Sequence, residues 1–337
     1  MVMARAAFAV CAVVALWGTW VTSASAQAPP DSQFQKVTLS DRPGEPMDLA
    51  VLPDGRVLHT TRPGQVRLHD PETGINSVIN EIDVYEHDEE GLQSIAIDPN
   101  FEKNNWVYIY YSPPLDTPVD DPDTPAVNEG DAPVEGSPAD WEPFEGHLTL
   151  SRFKFDGKQL RLGSEQQIID VPVDRGICCH VGGEIDFDSQ GNLFLSTGDD
   201  TNPFESDGYT PIDERANRHP AFDAQRTSAN TNDLRGKLLR IRVGKKGGYS
   251  IPEGNMFPVG TEDTLPEIYA MGFRNPFRFA VDPETDEVYL GDYSPDAQQP
   301  DPDRGPAGRG KWTVVREPLA CASVRPPSQE EALQHCW

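Results

Sequence analysis

Basic residues are scarce. The 337-residue chain carries 28 Lys and Arg against 55 Asp and Glu, a formal net charge of -27. The clustered cations that a phosphate backbone demands are missing, which excludes DNA, RNA and anionic membrane surfaces as partners. Cysteine is scarce too, with five residues, and none of them falls into the Cys/His spacings that build a structural zinc site. After the N-terminal leader no apolar run is long enough to cross a bilayer. The EF-hand order of Asp, Asn and Gly is also lacking, although Asp is abundant. What the chain does have is 28 Gly and 32 Pro. Both are costly inside helices and common in turns, so the expectation is turn-rich β structure.

Residues 1–26 read as a signal peptide: Arg5 supplies the charge, 6–21 the apolar core, and Ala24, Ser25 and Ala26 the small-residue cleavage pattern. The apolar stretch is shorter than the ~20 residues of a spanning helix, which disfavours the alternative of an uncleaved anchor. The expected product is secreted or periplasmic, with no membrane insertion after cleavage. Cys11 leaves with the leader, and Cys178, Cys179, Cys321 and Cys336 remain in a compartment where disulfides persist. The adjacent pair Cys178 and Cys179 can close a vicinal disulfide.

A turn phrase recurs along the chain. It reads LAVLPDGRVL at 49–58, SIAIDPNF at 94–101 running into WVYIYY at 106–111, EIDFDSQGNLFL at 184–195, and RFAVDPETDEVYL at 278–290. Each copy is a strand, an Asp-led turn and a second strand. The anchoring Asp54, Asp98, Asp188 and Asp282 lie 44, 90 and 94 residues apart. Later strands such as LTLSRFKF at 148–155 and GKLLRIRV at 236–243 complete four-stranded units. Repetition of this kind predicts blades of a β-propeller, whereas a β-sandwich leaves the repeated turn unexplained. Between 113 and 141 the chain turns Pro-rich and acidic, with Asp116, Asp120, Asp121, Asp123, Glu129 and Asp131, and reads as a long solvated loop.

Two constellations carry chemistry. In CCHVGG at 178–183, His180 stands just before a blade's first strand, where neutral imidazole accepts a hydroxyl proton near neutral pH, and two glycines let another molecule approach the backbone. In GFRNP at 272–276, Arg274 and Asn275 offer a fixed cation and an amide to a carboxylate-bearing ligand. Taken singly, His180 also fits a structural histidine and Arg274 a buried ion pair.

From about residue 46 to 318 the sequence resembles the soluble glucose/sorbosone dehydrogenases, six-bladed propellers that use pyrroloquinoline quinone and calcium. The likeness rests on EGLQSIAIDPNF at 90–101, the His180-x-Gly-Gly element with GNLFLSTGD at 191–199, NDLRGKLLRI at 232–241 and GFRNP at 272–276. It is nearest to a secreted, actinobacterial-type branch with the Cys-Cys-His form of the motif. The resemblance implies an all-β propeller that oxidises a small-molecule sugar at its anomeric carbon and passes electrons to an external acceptor. It implies His180 as the base, Arg274 over the quinone, and Asn275 on a cofactor oxygen. Calcium would be held by the backbone carbonyls of Ser294 and Pro295. Glu89 takes the place of a cofactor-side glutamine, and a Cys178–Cys179 disulfide would give the quinone a flat face.

Departures from the family pattern set further expectations. Cys179 stands where the family has the Asp that orients the base, which implies a weaker base. After KWTVVREP at 311–318 the expected turn and about two further blades give way to LACASVRPPSQEEALQHCW at 319–337. The chain is therefore expected to hold a partial propeller over 27–318, about four blades, followed by an atypical tail. With Arg274 as the one assigned cation, a weakened hold on a three-carboxylate cofactor follows. Two other readings stay open, a non-catalytic carbohydrate-binding or docking propeller and a calcium-dependent, lactonase-like propeller hydrolase. The hydrolase needs a carboxylate cage, with Asp199, Asp200, Asp292 and Asp296 as its candidates.

Overall fold

The recurring aspartate has one local cause. In each copy its carboxylate oxygen Oδ1 accepts the N–H two residues on: Arg56 to Asp54 (3.1 Å), Asn100 to Asp98 (2.8 Å), Gln190 to Asp188 (3.0 Å) and Glu284 to Asp282 (2.8 Å). These Asx turns reverse the chain between two strands without help from distant residues. The computed structural model describes residues 30–36, 38–119, 130–293, 295–305, 307–308, 310–316 and 319–320. The leader at 1–26, the acidic run 120–129, Ser294, and the tail from 321 with Cys321 and Cys336 lie outside the described residues. The chain divides into two compact units, residues 1–38 and 39–337. In the first, the described residues contain one 3-10 turn, Asp31–Gln33.

The second unit is built almost entirely of strands, in four antiparallel blades. Blade 1 is β1 (Pro46–Val51), β2 (Val57–Thr61), β3 (Gln65–Asp70) and β4 (Ile75–Glu81), hydrogen-bonded in that order. Blade 2 is β5 (Leu92–Ile97), β6 (Trp106–Tyr111), β7 (Glu145–Phe155) and β8 (Leu160–Asp174). In blade 3, β9 (Gly182–Phe187), β10 (Leu193–Thr197) and β11 (Lys237–Val243) are followed by the short β12 (Tyr249–Ser250), which pairs with β11, and by β13 (Ile268–Met271). Blade 4 has three described strands, β14 (Asn275–Val281), β15 (Val288–Tyr293) and β16 (Lys311–Val315), and β17 (Leu319–Ala320) pairs parallel to β13. The first strand of each blade packs against the first strand of the next, β1 on β5, β5 on β9 and β9 on β14, so the four hairpins share one axis as a propeller requires.

Side chains alternate between two inter-blade cores. On β6, Val107 and Ile109 face blade 1, while Trp106, Tyr108 and Tyr110 face blade 3. On β10, Leu193 and Leu195 face blade 2, while Phe194 faces blade 4. A strand buried on both sides reads as a continuous apolar run, which is why 106–111 shows no polar alternation. The loop expected to be solvated is partly core. A capping box on Ser137 and Asp140 starts a short helix, α1 (Pro138–Trp141), whose Trp141 is buried and donates its indole N–H to Pro133 O (2.8 Å).

Glu184 on β9 is buried near the axis, and that burial, reinforced by Asp48 of β1, pushes its carboxyl up to about 8; Arg278, whose Nε lies 3.2 Å from Glu184 Oε2, offsets only part of this. Above the ordinary value of 4.5 and up to about 8, the folded chain holds a proton that the unfolded chain has released, so this group's contribution to stability falls as pH rises through that window. In Glu184→Gln, the thermal midpoint should decline less between about pH 5 and about pH 8 than in the wild type. Parallel curves for the two proteins would refute this.

Candidate active site

Residues that precede or begin the inner strands converge on one cavity of 410 Å³. Glu45 and Met47 come from the start of β1, Asp88 and Glu89 from before β5, Cys179 and His180 from before β9, and Arg274 and Asn275 from the entry to β14. Pro203, Phe204, Tyr293 and Asp296 complete much of the wall. Thus His180 and Arg274, 94 residues apart in sequence, share one cavity.

His180 is 3% exposed, and its Nδ1 lies 2.7 Å from Asp199 Oδ1. The same oxygen accepts the Thr201 N–H (3.1 Å) and hydroxyl (2.8 Å), so the carboxylate is fixed in place. With Nδ1–H directed at Asp199, Nε2 is the nitrogen left as acceptor. This corrects the expectation of an unsupported base: the orienting carboxylate comes from the strand end after β10, not from position 179. The signal was in the STGD run at 196–199, but only the fold brings it beside His180.

The two glycines after His180 are filled by the protein itself and not left open to a ligand. A Cβ on Gly182, whose φ is +63°, would lie 2.7 Å from Gly198 N, and one on Gly183 would lie 2.8 Å from the Gln93 Cβ. Their smallness lets β9 seat between blade 2 and the end of β10.

Glu89 does not stand as a bare charge in the cavity. Its Oε2 accepts the backbone N–H of His180 (2.9 Å) and the Nδ2 amide of Asn275 (3.3 Å), so it positions the base. Asn275 is likewise engaged within the protein: its Oδ1 accepts the Gly182 N–H (3.0 Å), and its own N–H donates to Asp292 Oδ1 (2.8 Å). The amide group expected to hold a cofactor oxygen is the Nδ2 that donates to Glu89. Arg274, 5% exposed, donates Nη2–H to Asp296 Oδ2 (3.0 Å), while its Nε is buried with no hydrogen-bond partner. A second guanidinium that sequence reasoning missed, Arg62, lines the same cavity and is held by Glu45 (2.7 Å). It lies in an ordinary strand-turn context, which carries no signal.

Cys178 and Cys179 are joined as a vicinal disulfide, with Cys179 on the cavity wall and Cys178 half-buried behind it. Pro295 sits between two wall residues, Tyr293 and Asp296. The four carboxylates proposed for a hydrolase cage do not gather. Asp199 holds His180, Asp200 pairs with Arg235 (2.9 Å), Asp292 accepts from the residue 275 backbone, and Asp296 pairs with Arg274. Among the described residues, the metal-ligand types that converge are His87, Asp88 and Asp131, with ligand atoms within 4.8 Å of one another. Burial and the neighbouring Asp131 and Glu89 raise the Asp88 carboxyl against the opposing pull of His87.

Residues 44–299 match the Glucose / Sorbosone dehydrogenase family model. The aldose sugar dehydrogenase YliI of Escherichia coli (strain K12) is 24% identical over 260 residues, covering 76% of this chain and 56% of that protein. Among solved structures, a glucose dehydrogenase-type oxidoreductase from Thermus thermophilus superposes with a TM-score of 0.52 at 26% identity, over 76% of this chain and 59% of that one. The PQQ-bound form of aldose sugar dehydrogenase from Streptomyces coelicolor gives 0.50 at 21%, over 75% of this chain and 57% of that one. The chain spans a little over half the length of each of these relatives. With a family match that runs from β1 through β15, the chain belongs to the glucose/sorbosone dehydrogenase family.

Proposed function

We propose that the protein is an exported aldose dehydrogenase that oxidises a sugar at its anomeric carbon with pyrroloquinoline quinone as cofactor and calcium beside it. The observation that carries this reading is the 2.7 Å contact of His180 Nδ1 with Asp199 in a cavity that also holds Arg274. The residues present fit such a cofactor. Arg274 brings a buried Nε with no partner, Arg62 adds a second cation, and Cys179 adds a sulfur face. Calcium would be held by the carbonyls at 294 and 295, oxygen ligands of the kind that Ca²⁺ takes, and Asp296, the next residue, lines the cavity. When bound, the quinone supplies a two-electron hydride acceptor.

The chain's own part is to orient the sugar and move its proton. His180 Nε2 accepts the proton of the anomeric hydroxyl, and Asp199 stabilises the imidazolium that results. Glu89 fixes the backbone of the base, so the imidazole is held on two sides. Arg274 offers an anionic oxygen its Nε–H, which has no hydrogen-bond partner within the protein. The pattern at 1–26 and the vicinal disulfide support export to an oxidising compartment, and an external acceptor would then take the electrons. Asp199 removes one support of the non-catalytic reading, the absence of an orienting acid at position 179.

Purified protein reconstituted with pyrroloquinoline quinone and Ca²⁺ should reduce an artificial dye in the presence of glucose or another aldose and release the lactone. Absence of turnover with a panel of hexoses and pentoses would overturn the proposal. His180→Asn should lower kcat by about 100-fold or more. Asp199→Asn should lower kcat by a similar factor with KM little changed, because it acts through His180 and does not touch the sugar. A change confined to KM would argue against the assigned role. Arg274→Lys keeps the charge but loses the planar fork, and quinone titration followed by absorbance should show binding weakened by about tenfold.

A further inference from the structure

The connection between β10 and β11, residues 198–236, is far longer than a blade turn requires, and it builds a second cavity of 440 Å³. Phe204, on its first 3-10 turn, lines the catalytic cavity and is 71% exposed. The next two residues, Glu205 and Ser206, line the second cavity, so the two spaces adjoin along one short turn. Opposite them stand Asp303 and Arg304, from the segment after β15.

This second cavity is lined by charged side chains and by one hydroxyl that the protein leaves unsatisfied. Arg218 is 7% exposed and packs its guanidinium over the Phe222 ring at 3.7 Å. Its Nη2 pairs with Glu205, but its Nε, 3.5 Å from Asp213 Oδ2, makes no hydrogen bond. The Thr210 hydroxyl is buried without a partner as well. Buried hydroxyls are nearly always paired, so the Thr210 hydroxyl marks a group open to a ligand, whereas the Arg218 Nε already faces the Asp213 carboxylate. The wall carries three carboxylates, Glu205, Asp213 and Asp303, against two arginines, Arg218 and Arg304. Such a balance does not favour an anion. Donors and acceptors standing side by side instead suit hydroxyls, each of which gives and takes a bond, and the exposed Ile212 at the rim suits a C–H face.

We propose that this cavity is a saccharide subsite, which holds the sugar units that follow the reducing-end aldose of an oligosaccharide. The proposal rests on the dehydrogenase reading for the orientation of the chain, with C1 beside His180 and the next units passing Phe204. Specificity for longer substrates then resides in the β10–β11 connection and not in the catalytic groups.

Two measurements separate this proposal from the reading beneath it. In the first, maltotriitol and cellotriitol, trisaccharide alcohols with no anomeric carbon to oxidise at the reduced end, are titrated calorimetrically into the wild type, Thr210→Val and Asp303→Asn. At least one of them should bind the wild type, and about tenfold more weakly to each variant. Thr210→Val is isosteric and removes a hydroxyl that has no partner, so its fold is preserved, as an unchanged thermal midpoint would verify. In the second, kcat/KM of the reconstituted protein is compared for glucose, maltotriose and cellotriose. The variants should lose about tenfold on the preferred trisaccharide and nothing on glucose. Failure of both alcohols to bind, or equal losses on glucose and trisaccharides, would overturn the subsite. Binding of an alcohol by a protein that oxidises no aldose would uphold the subsite and overturn the dehydrogenase reading instead.

Discussion

The innermost strand of a propeller blade has no strand neighbour on its axial side, and its N–H groups there need acceptors from elsewhere. In this chain those acceptors are side chains reaching over from another blade. Asp48 of β1 accepts the Ile95 N–H of β5 at 2.9 Å and the Ser94 hydroxyl at 2.8 Å. Asp186 of β9 accepts the Val281 N–H of β14 at 2.7 Å, and Asn275 Oδ1 of β14 accepts the Gly182 N–H of β9 at 3.0 Å. Blade 4 reaches blade 1 by a guanidinium, through the bond from Arg278 Nη2 to Met47 O. The junctions between successive blades combine an apolar face with a polar stitch that is at least partly buried. The apolar face contributes area, and the stitch fixes register, because a one-residue slip would strand a carboxylate away from its donor. Part of the acidic excess of the composition is therefore structural.

The same device places the groups that line the cavity. Glu89 and Asn275 are stitches of this kind at one end of the inner strands, with bonds to the backbone of residues 180 and 182, and Asp292 of β15 holds the residue 275 N–H from within blade 4. His180, Arg274 and the cavity between them are held by three blades at once. His180 has φ +61°, a region uncommon for residues other than glycine, and it is kept there by Glu89 on its N–H and by the Asp200 N–H on its carbonyl (3.2 Å). A residue so constrained has little freedom to search for its substrate, which favours one productive orientation of the imidazole.

This division also explains what could be read from the sequence. The Asp-led turns were legible because an Asx turn is closed within three residues, and the strands because both faces of β6 and β10 are apolar. The residues that bear the chemistry were legible as types, since a histidine and an arginine just before inner strands mark positions that face the axis. Their partners were not. Asp199 lies two strands and a turn beyond His180, Glu89 lies in another blade, and Arg62 belongs to a turn with no chemical signature. The glycine pair misled in an informative way. Sequence alone says that something must come close to the backbone at 182 and 183, but whether it is a ligand or the protein's own Gln93 and Gly198 depends on packing between blades.

Arg274 shows how the cavity balances its charge. Its pairing with Asp296 is asymmetric, for the arginine side chain is 6% exposed and the aspartate 63%. Half-open ion pairs of this kind are worth little, because water competes for the exposed partner. An incoming anionic group therefore meets a buried guanidinium whose present companion is easily displaced, and whose Nε is already free of hydrogen bonds. Removing the carboxylate of Asp296 from Arg274 would leave it uncompensated on a wall that also carries Glu45, Asp88 and Glu89. A divalent cation taken up together with the anion resolves that repulsion, since it converts the displaced carboxylate from a competitor into a neighbour of opposite charge. On the proposed reading, the acidity of the wall, which alone would repel a carboxylate-bearing cofactor, would favour uptake of the cofactor and a metal together.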